Sequence, residues 1–177
     1  MKLSYSCLNN MQSIIKSHNT KVLEKQTETP ENETDNCNCR NKEACPLGGN
    51  CLSKCMVYKA TVTSESREKV YYGMCEGDFK ARYRNHIKSF NNERYKNETS
   101  LSTHIWSLKT QALAYDIKWL IVQQAKPYSC GSHFCNLCLT EKFYILTSKS
   151  EDLLNKRSEI ISKCRHRRKF LLSNPRL

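Results

Sequence analysis

Five cysteines fall between Cys37 and Cys55, namely Cys37, Cys39, Cys45, Cys51 and Cys55, and no other stretch restricts the folding of this chain so tightly. Pro46, Gly48 and Gly49 lie among them, and apolar side chains are few. Such a segment buries too little surface to fold unaided, so a metal held by thiolates is its natural organiser, with four of the five cysteines as ligands. The spacing does not say which four. A second group, Cys135-x2-Cys138 followed by Cys164-x-His166, contains the knuckle that lets two thiolates meet one tetrahedral zinc ion. Reduced packing cysteines are the alternative there, and Cys130 and His133 are spare ligands nearby.

Eleven cysteines in all would mean disulfides in a secreted protein. Met1 to Thr20 holds no continuous apolar run of the kind a secretory leader needs, and no segment approaches the ~20 apolar residues of a membrane span. The expectation is a reducing nuclear or cytoplasmic setting, with no secretion and no membrane partner, where clustered cysteines bind metal.

At 177 residues the chain has room for one ordinary domain and an appendage. Hydrophobic residues make up 38% and charged residues 26%, with a mean hydropathy of -0.69, which describes a lean composition with a small core. Lys and Arg number 29 against 17 Asp and Glu, a net charge of +12. That field attracts polyanions, of which phosphate backbones are the commonest in a cell, although a positive field specifies no partner. Lys80, Arg84, Lys88, Arg94 and Lys96, with Arg165, Arg167, Arg168 and Lys169, are the candidates for backbone contact.

Weak helical periodicity runs from Met1 to Leu23, and the polar run Glu24 to Asn36 has the composition of a linker. Val57 to Thr63 alternates and is rich in strand formers, and Lys69 to Gly73 forms a second run after a charged turn, which predicts a hairpin. Gly77-Asp78 is placed to cap a helix with Phe79, Tyr83, Ile87 and Phe90 on one stripe and with Arg82 and His86 on its rim, facing a cleft edge. Leu101, Ile105 and Leu108 predict a second helix, Tyr115 to Val122 a strand, and Leu139 to Leu146 and Leu153 to Ile161 two further helices. The order implies an α/β (α+β) layer: a small, mainly antiparallel three-stranded sheet flanked by helices. Three regions follow: 1–36 as connector, 37–55 as the cysteine-rich zinc segment and 56–170 as the main domain.

Met56-Val57-Tyr58 and Tyr71-Tyr72-Gly73 sit on the paired strands, followed by Arg82, His86, Glu141 and Asn155 in order. This constellation resembles the GIY-YIG nucleases. Met56 stands at the usual first glycine, Tyr72 at the usual isoleucine and Cys75 where a small hydroxyl residue is frequent. The strings Cys37-Asn38-Cys39-Arg40, Arg82-Tyr83-Arg84-Asn85-His86, Leu101-Ser102-Thr103-His104-Ile105-Trp106 and Cys135-Asn136-Leu137-Cys138-Leu139-Thr140-Glu141-Lys142 are similar to the endonuclease end of Penelope-like retroelements. Leu3-Ser4-Tyr5-Ser6-Cys7 resembles the connector between reverse transcriptase and endonuclease there.

The resemblance implies a metal-dependent DNA endonuclease, with a reverse transcriptase as its ancestral partner in one polyprotein. It implies that Glu141 holds Mg²⁺ or Mn²⁺ and that Tyr58 serves as base or proton relay. Tyr71 would orient water or phosphate, Arg82 pair with phosphate oxygens, His86 assist proton movement and Asn155 fix the site by hydrogen bonds. His104 is a weaker candidate. Zinc at the second cluster would clamp the helices bearing Glu141 and Asn155 and so support the site indirectly. Two other classes fit parts of the sequence: a zinc-organised nucleic-acid-binding module without activity, and a zinc-knuckle interaction protein, which leaves the basic balance unexplained.

Overall fold

The computed structural model describes residues 10–27, 36–65, 67–127, 135–149 and 151–156, with 164 and 166. Leu3 to Cys7, Cys130, His133, Arg165, Arg167, Arg168 and Lys169 lie outside the described residues, as do parts of the linker and of the last expected helix.

Helix α1 spans Met11–Thr27 and starts where Asn10 Oδ1 accepts the Ser13 amide at 2.8 Å. It runs into the stretch expected to be linker, because Glu24, Lys25 and Gln26 are polar yet good helix formers. Strands β1 (Met56–Ser64) and β2 (Arg67–Cys75) form the hairpin. Helix α2 spans Phe79–Asn91, α3 Ser100–Thr110, β3 Tyr115–Gln124 and α4 Asn136–Thr147, with a 3-10 turn at Glu93–Tyr95.

The sheet is antiparallel in the order β2-β1-β3, which makes β1 the central strand and matches the expected α+β layer. Alternation along the strands sorts side chains onto two faces. Met56, Tyr58, Ala60 and Val62 of β1, Tyr71 and Cys75 of β2, and Tyr115, Ile117, Trp119 and Ile121 of β3 share the face covered by Phe79 and Phe90 of α2 and Leu101, Ile105 and Leu108 of α3. Val57 and Met74 point the other way, against Cys135, Leu137, Cys138 and Tyr144 around α4. The register between β1 and β3 shifts between Val57 and Tyr58. A bulge there locally strengthens the twist beside Tyr58.

Two helices are fixed by specific bonds. Thr99 and Ser102 form a capping box at the start of α3, and Trp106 Nε1 donates to the Ser89 carbonyl at 2.8 Å, tying α3 to α2. Asp78 occupies the N-cap position of α2, but its side chain makes no capping bond. The amides of Phe79 and Lys80 donate instead to the carbonyls of Ser53 (3.1 Å) and Cys51 (2.7 Å), which come from the cysteine-rich segment.

The expected helix from Leu153 does not begin there. Leu153 forms a parallel bridge with Val70, the Val70 amide donates to Asp152 O at 2.7 Å, and the Leu154 amide donates to Val70 O at 2.8 Å. The backbone around the adjacent pair Leu153 and Leu154 has been taken up by the open edge of β2, whose unpaired backbone groups need partners. Residues 157–161 of that expectation lie outside the described residues.

Candidate active site and metal centres

Tyr58 is fully buried on the central strand, and the residue paired with it across the hairpin is Gly73. A Cβ on Gly73 would stand 2.5 Å from Tyr58 Cζ and closer still to its hydroxyl oxygen. The missing side chain is what lets the phenol lie flat across β2. Phe79 meets the ring edge-on at 5.1 Å and Trp119 tilts against it at 5.8 Å.

The Tyr58 hydroxyl lies 2.7 Å from His86 Nε2, and Arg82 Nε donates to it at 3.0 Å. Arg82 can only donate, so the phenol accepts from it. With His86 neutral and its proton on Nδ1, the hydrogen of the phenol goes to Nε2. Burial, followed by the charge of Arg82, lowers the imidazole to about 3, in keeping with that state. Burial, then Tyr71, pushes the Tyr58 phenol above its ordinary value, while Arg82 pulls the other way. For Arg82 burial opposes the charge, but the Tyr58 and Tyr71 hydroxyls, both hydrogen-bond partners, outweigh it and raise its pKa. The guanidinium therefore stays cationic.

The structure thus brings Tyr58, Tyr71, Arg82 and His86 together. His86 is not on a cleft rim: it is 2% exposed, enclosed by Trp119 at 5.3 Å, Phe90 at 6.0 Å and Tyr71 at 6.0 Å between ring centroids. Helical periodicity placed it at the edge of the stripe, and these aromatic rings from other elements close over it.

Asn155 sits one residue from that set. Its Oδ1 accepts the Tyr72 amide and its Nδ2 donates to the Tyr72 carbonyl, both at 2.8 Å, so one side chain imitates a neighbouring strand beside Tyr71. Glu141 is carried by α4, half-buried, one turn from each of the buried residues Leu137 and Ile145. Val57 and Tyr58 are consecutive and leave opposite faces, so α4 and Glu141 occupy the face behind Tyr58, at the same end of the strands. His104 on α3 is partly buried, with Nε2 shielded and without a hydrogen-bond partner. Burial, then Lys69, lowers its pKa.

Of the basic candidates, Arg84 and Lys88 are exposed on α2, with the Lys88 ammonium 4.3 Å from the Tyr95 ring centre. Lys80 is engaged: its Nζ donates to Asn38 Oδ1 at 2.5 Å and Asn38 O at 3.3 Å.

No protein-family model, curated protein or solved structure matches the chain.

No disulfide joins any two of the nine described cysteines, and most gather in two groups whose ligand atoms all lie within 4.8 Å of one another. The first group is Cys37, Cys39, Cys45 and Cys51. Cys55 stands apart, its thiol directed at the Glu76 carbonyl 3.4 Å away. Sulfur separations of 3.6 Å (Cys37 to Cys45), 3.6 Å (Cys39 to Cys51) and 3.5 Å (Cys51 to Cys37) are near the edge of about 3.8 Å that ~2.3 Å bonds to one tetrahedral zinc would give. Burial pushes the Cys45 thiol up, but the Gly49 and Leu47 amides and the thiols of Cys37 and Cys51 outweigh it and bring it down to about 6. Burial and the surrounding sulfurs raise Cys51 to about 12. Four packed sulfurs ionise together only around a cation. Gly48 and Gly49 carry positive φ of 55° and 99°, which lets the loop aim its amides at Cys45.

The second group is Cys135, Cys138, Cys164 and His166. His166 Nδ1 lies 3.3 to 3.4 Å from the three sulfurs, and Cys138 lies 3.5 Å from Cys164. Both groups could hold zinc.

Three participants escaped sequence reading: Trp119, Gly73 as a space-maker, and the Ser53 and Cys51 carbonyls. Trp119 was detectable, since Tyr115, Ile117, Trp119 and Ile121 alternate onto one face. The carbonyls carry no sequence signal at all, because every residue has one.

Proposed function

We propose that this chain is a metal-dependent DNA endonuclease of the GIY-YIG type, related to the endonuclease end of Penelope-like retroelements. The observation that supports it most is the directed chain from Arg82 Nε through the Tyr58 hydroxyl to His86 Nε2, built on two paired tyrosine triplets. A plain core brace would not need a guanidinium, which brings a charge into a site where burial works against it.

Phosphodiester hydrolysis needs an activated water, a stabilised phosphorane and a leaving oxygen that is protonated or neutralised. Tyr58 takes a proton from the attacking water in the same step as it passes its own toward His86 Nε2, so that neither a phenolate nor an imidazolium, both disfavoured by burial, has to persist, and Arg82 steadies the phenolic oxygen during the transfer. The remaining guanidinium nitrogens suit a phosphate oxygen, and Tyr71 beside them orients it. The water oxygen bonds to phosphorus as the bond to the sugar oxygen breaks, and that oxygen leaves as a hydroxyl with a proton taken from solvent. Asn155 holds the Tyr72 backbone and so fixes Tyr71. Glu141 is the residue that would hold Mg²⁺ or Mn²⁺. A single half-buried carboxylate fits an ion that keeps several waters and takes one or two carboxylates together with phosphate oxygens. When bound, the ion would supply positive charge to the phosphate; because Glu141 lies on the face behind Tyr58, that phosphate would have to reach both Glu141 and Arg82 past the end of the strands. The net charge of +12 supports a nucleic-acid substrate, and a free 3′ end suits priming by an ancestral reverse transcriptase.

The burial of Tyr58 and His86, 0% and 2% exposed, favours a second reading: a zinc-organised nucleic-acid-binding module that uses the same network as an internal brace. Nicking of supercoiled plasmid with Mg²⁺ or Mn²⁺ separates the two. The folded chain should nick, and Glu141→Ala and Arg82→Ala should each lower the rate roughly 100-fold or more while still binding DNA. A folded wild-type chain that binds DNA and never nicks it removes the nuclease and leaves the binding module.

A further inference from the structure

The first cysteine group and helix α2 are joined at three points. The amides of Phe79 and Lys80, two of the orphan donors that every helix start leaves, are taken by Ser53 O and Cys51 O at 3.1 and 2.7 Å. Lys80 Nζ reaches back to Asn38, a residue lying between the ligand candidates Cys37 and Cys39. Leu47, from the same segment, is buried in the core that holds Tyr58 and Phe79. The side chain expected to cap the helix does not: Asp78 Oδ1 has no hydrogen-bond partner and faces only the Lys54 ammonium at 3.5 Å. Cys51 therefore belongs to two systems at once. Its thiol is a fully buried member of the four-sulfur group, and its carbonyl closes the first turn of the helix that carries Arg82 one turn further on.

We propose that the first cysteine group is the cap of α2, so that metal bound by Cys37, Cys39, Cys45 and Cys51 sets the start of the helix and, through it, the placement of Arg82 against Tyr58. Cys51 is a positioning residue: it touches neither Tyr58 nor a substrate and acts through the Lys80 amide. The segment has few apolar side chains, so without the metal only Leu47 and a few hydrogen bonds are left to hold its carbonyls in place. Metal supply to a site that performs no chemistry would then decide whether the Arg82–Tyr58–His86 chain is assembled. Only the catalytic meaning of Arg82 rests on the nuclease reading.

The test uses the full chain, zinc as the probe, and amide hydrogen exchange. In the zinc-loaded protein Phe79 and Lys80 should be protected. Cys51→Ser, or the milder Cys39→Ser at the half-buried ligand, should empty the first site and lower protection at these two amides roughly ten-fold further than at Ile105 and Leu108 inside α3, which report the global stability. The ring nitrogen shifts of His86 should change in the same samples, as Nε2 loses its fixed donor. Cys138→Ser should empty the second site and leave Phe79 and Lys80 unchanged. Undiminished protection with the first site empty overturns the proposal, and so does parallel loss across the whole core, which would make the metal a general stabiliser and not a cap. Exchange is read without DNA, so a chain that never nicks plasmid removes the nuclease while this result stands or falls alone.

Discussion

The two sulfur clusters differ in how they are enclosed and in what they join. Cys37, Cys45 and Cys51 are 8%, 8% and 0% exposed and come from one short loop that folds back against the start of α2. In the second cluster Cys135 and Cys138 are buried at the start of α4, but Cys164 is exposed and His166 half-buried, and these arrive from far along the chain. The first cluster is a local organiser for a segment whose one buried aliphatic anchor in the core is Leu47. The second is a staple between residues far along the chain and the start of α4, a helix that already has apolar contacts with the sheet: Leu137 packs on Val57 and Tyr144 stacks on Tyr72 at 5.7 Å. Equal chemistry at two sites thus supports different things, because the surrounding chain is short of apolar contacts in one case and supplied with them in the other.

The largest effect should come from breaking each cluster in turn. Cys51→Ser and Cys164→Ser should each lower the zinc content by one ion. The first should cost roughly 3 kcal/mol or more, as for loss of a structural metal ligand, and the second about 1 kcal/mol, both read by urea denaturation. A chelator should strip the second cluster first, since an exposed thiol gives it access. Equal costs and equal release rates would erase the contrast.

Gly73→Ala probes a centre that belongs to neither cluster. Overpacking against Tyr58 should cost ~1–3 kcal/mol and disturb the Tyr58–His86 bond. Combined with Cys51→Ser the costs should depart from additivity by ~0.5 kcal/mol or more, because both act on the Arg82–Tyr58 contact. Combined with Cys164→Ser they should add.

Near neutral pH the smallest effect is that of His86, which shows only as a slope on acidification. His86 is lowered from 6.5 to about 3 in the fold, so the unfolded chain takes up its proton first as the solution becomes acid. Stability from this group is complete above pH 6.5 and is lost as pH falls toward 3, by up to about 1.4 kcal/mol per pH unit. His86→Gln should flatten that window in pH-dependent unfolding, with either cluster loaded. An unchanged slope in the variant would move the acid sensitivity to the thiolates.

The hairpin, α2 and β3 were legible because alternation and the Phe79, Tyr83, Ile87, Phe90 stripe report directly on one buried face. The two ligand sets were legible as groups, since knuckle spacing is a local constraint. Leu153 was misjudged because its partner is Val70 at the edge of another element, and no periodicity within a segment records an edge that needs pairing. Asp78 misled for a similar reason: a good capping residue was bypassed when carbonyls from elsewhere reached the amides first.

Sequence alone determined the secondary structure of the core, the basic charge and the membership of the clusters apart from Cys55, because each depends on neighbours a few residues away. Tertiary structure decided the rest: that His86 is enclosed, that Gly73 makes room for Tyr58, that Asn155 serves as a strand edge, and that Glu141 lies on the face behind Tyr58. Those outcomes depend on which surfaces meet when the chain closes, and side-chain volume and unsatisfied backbone groups settle them only in three dimensions.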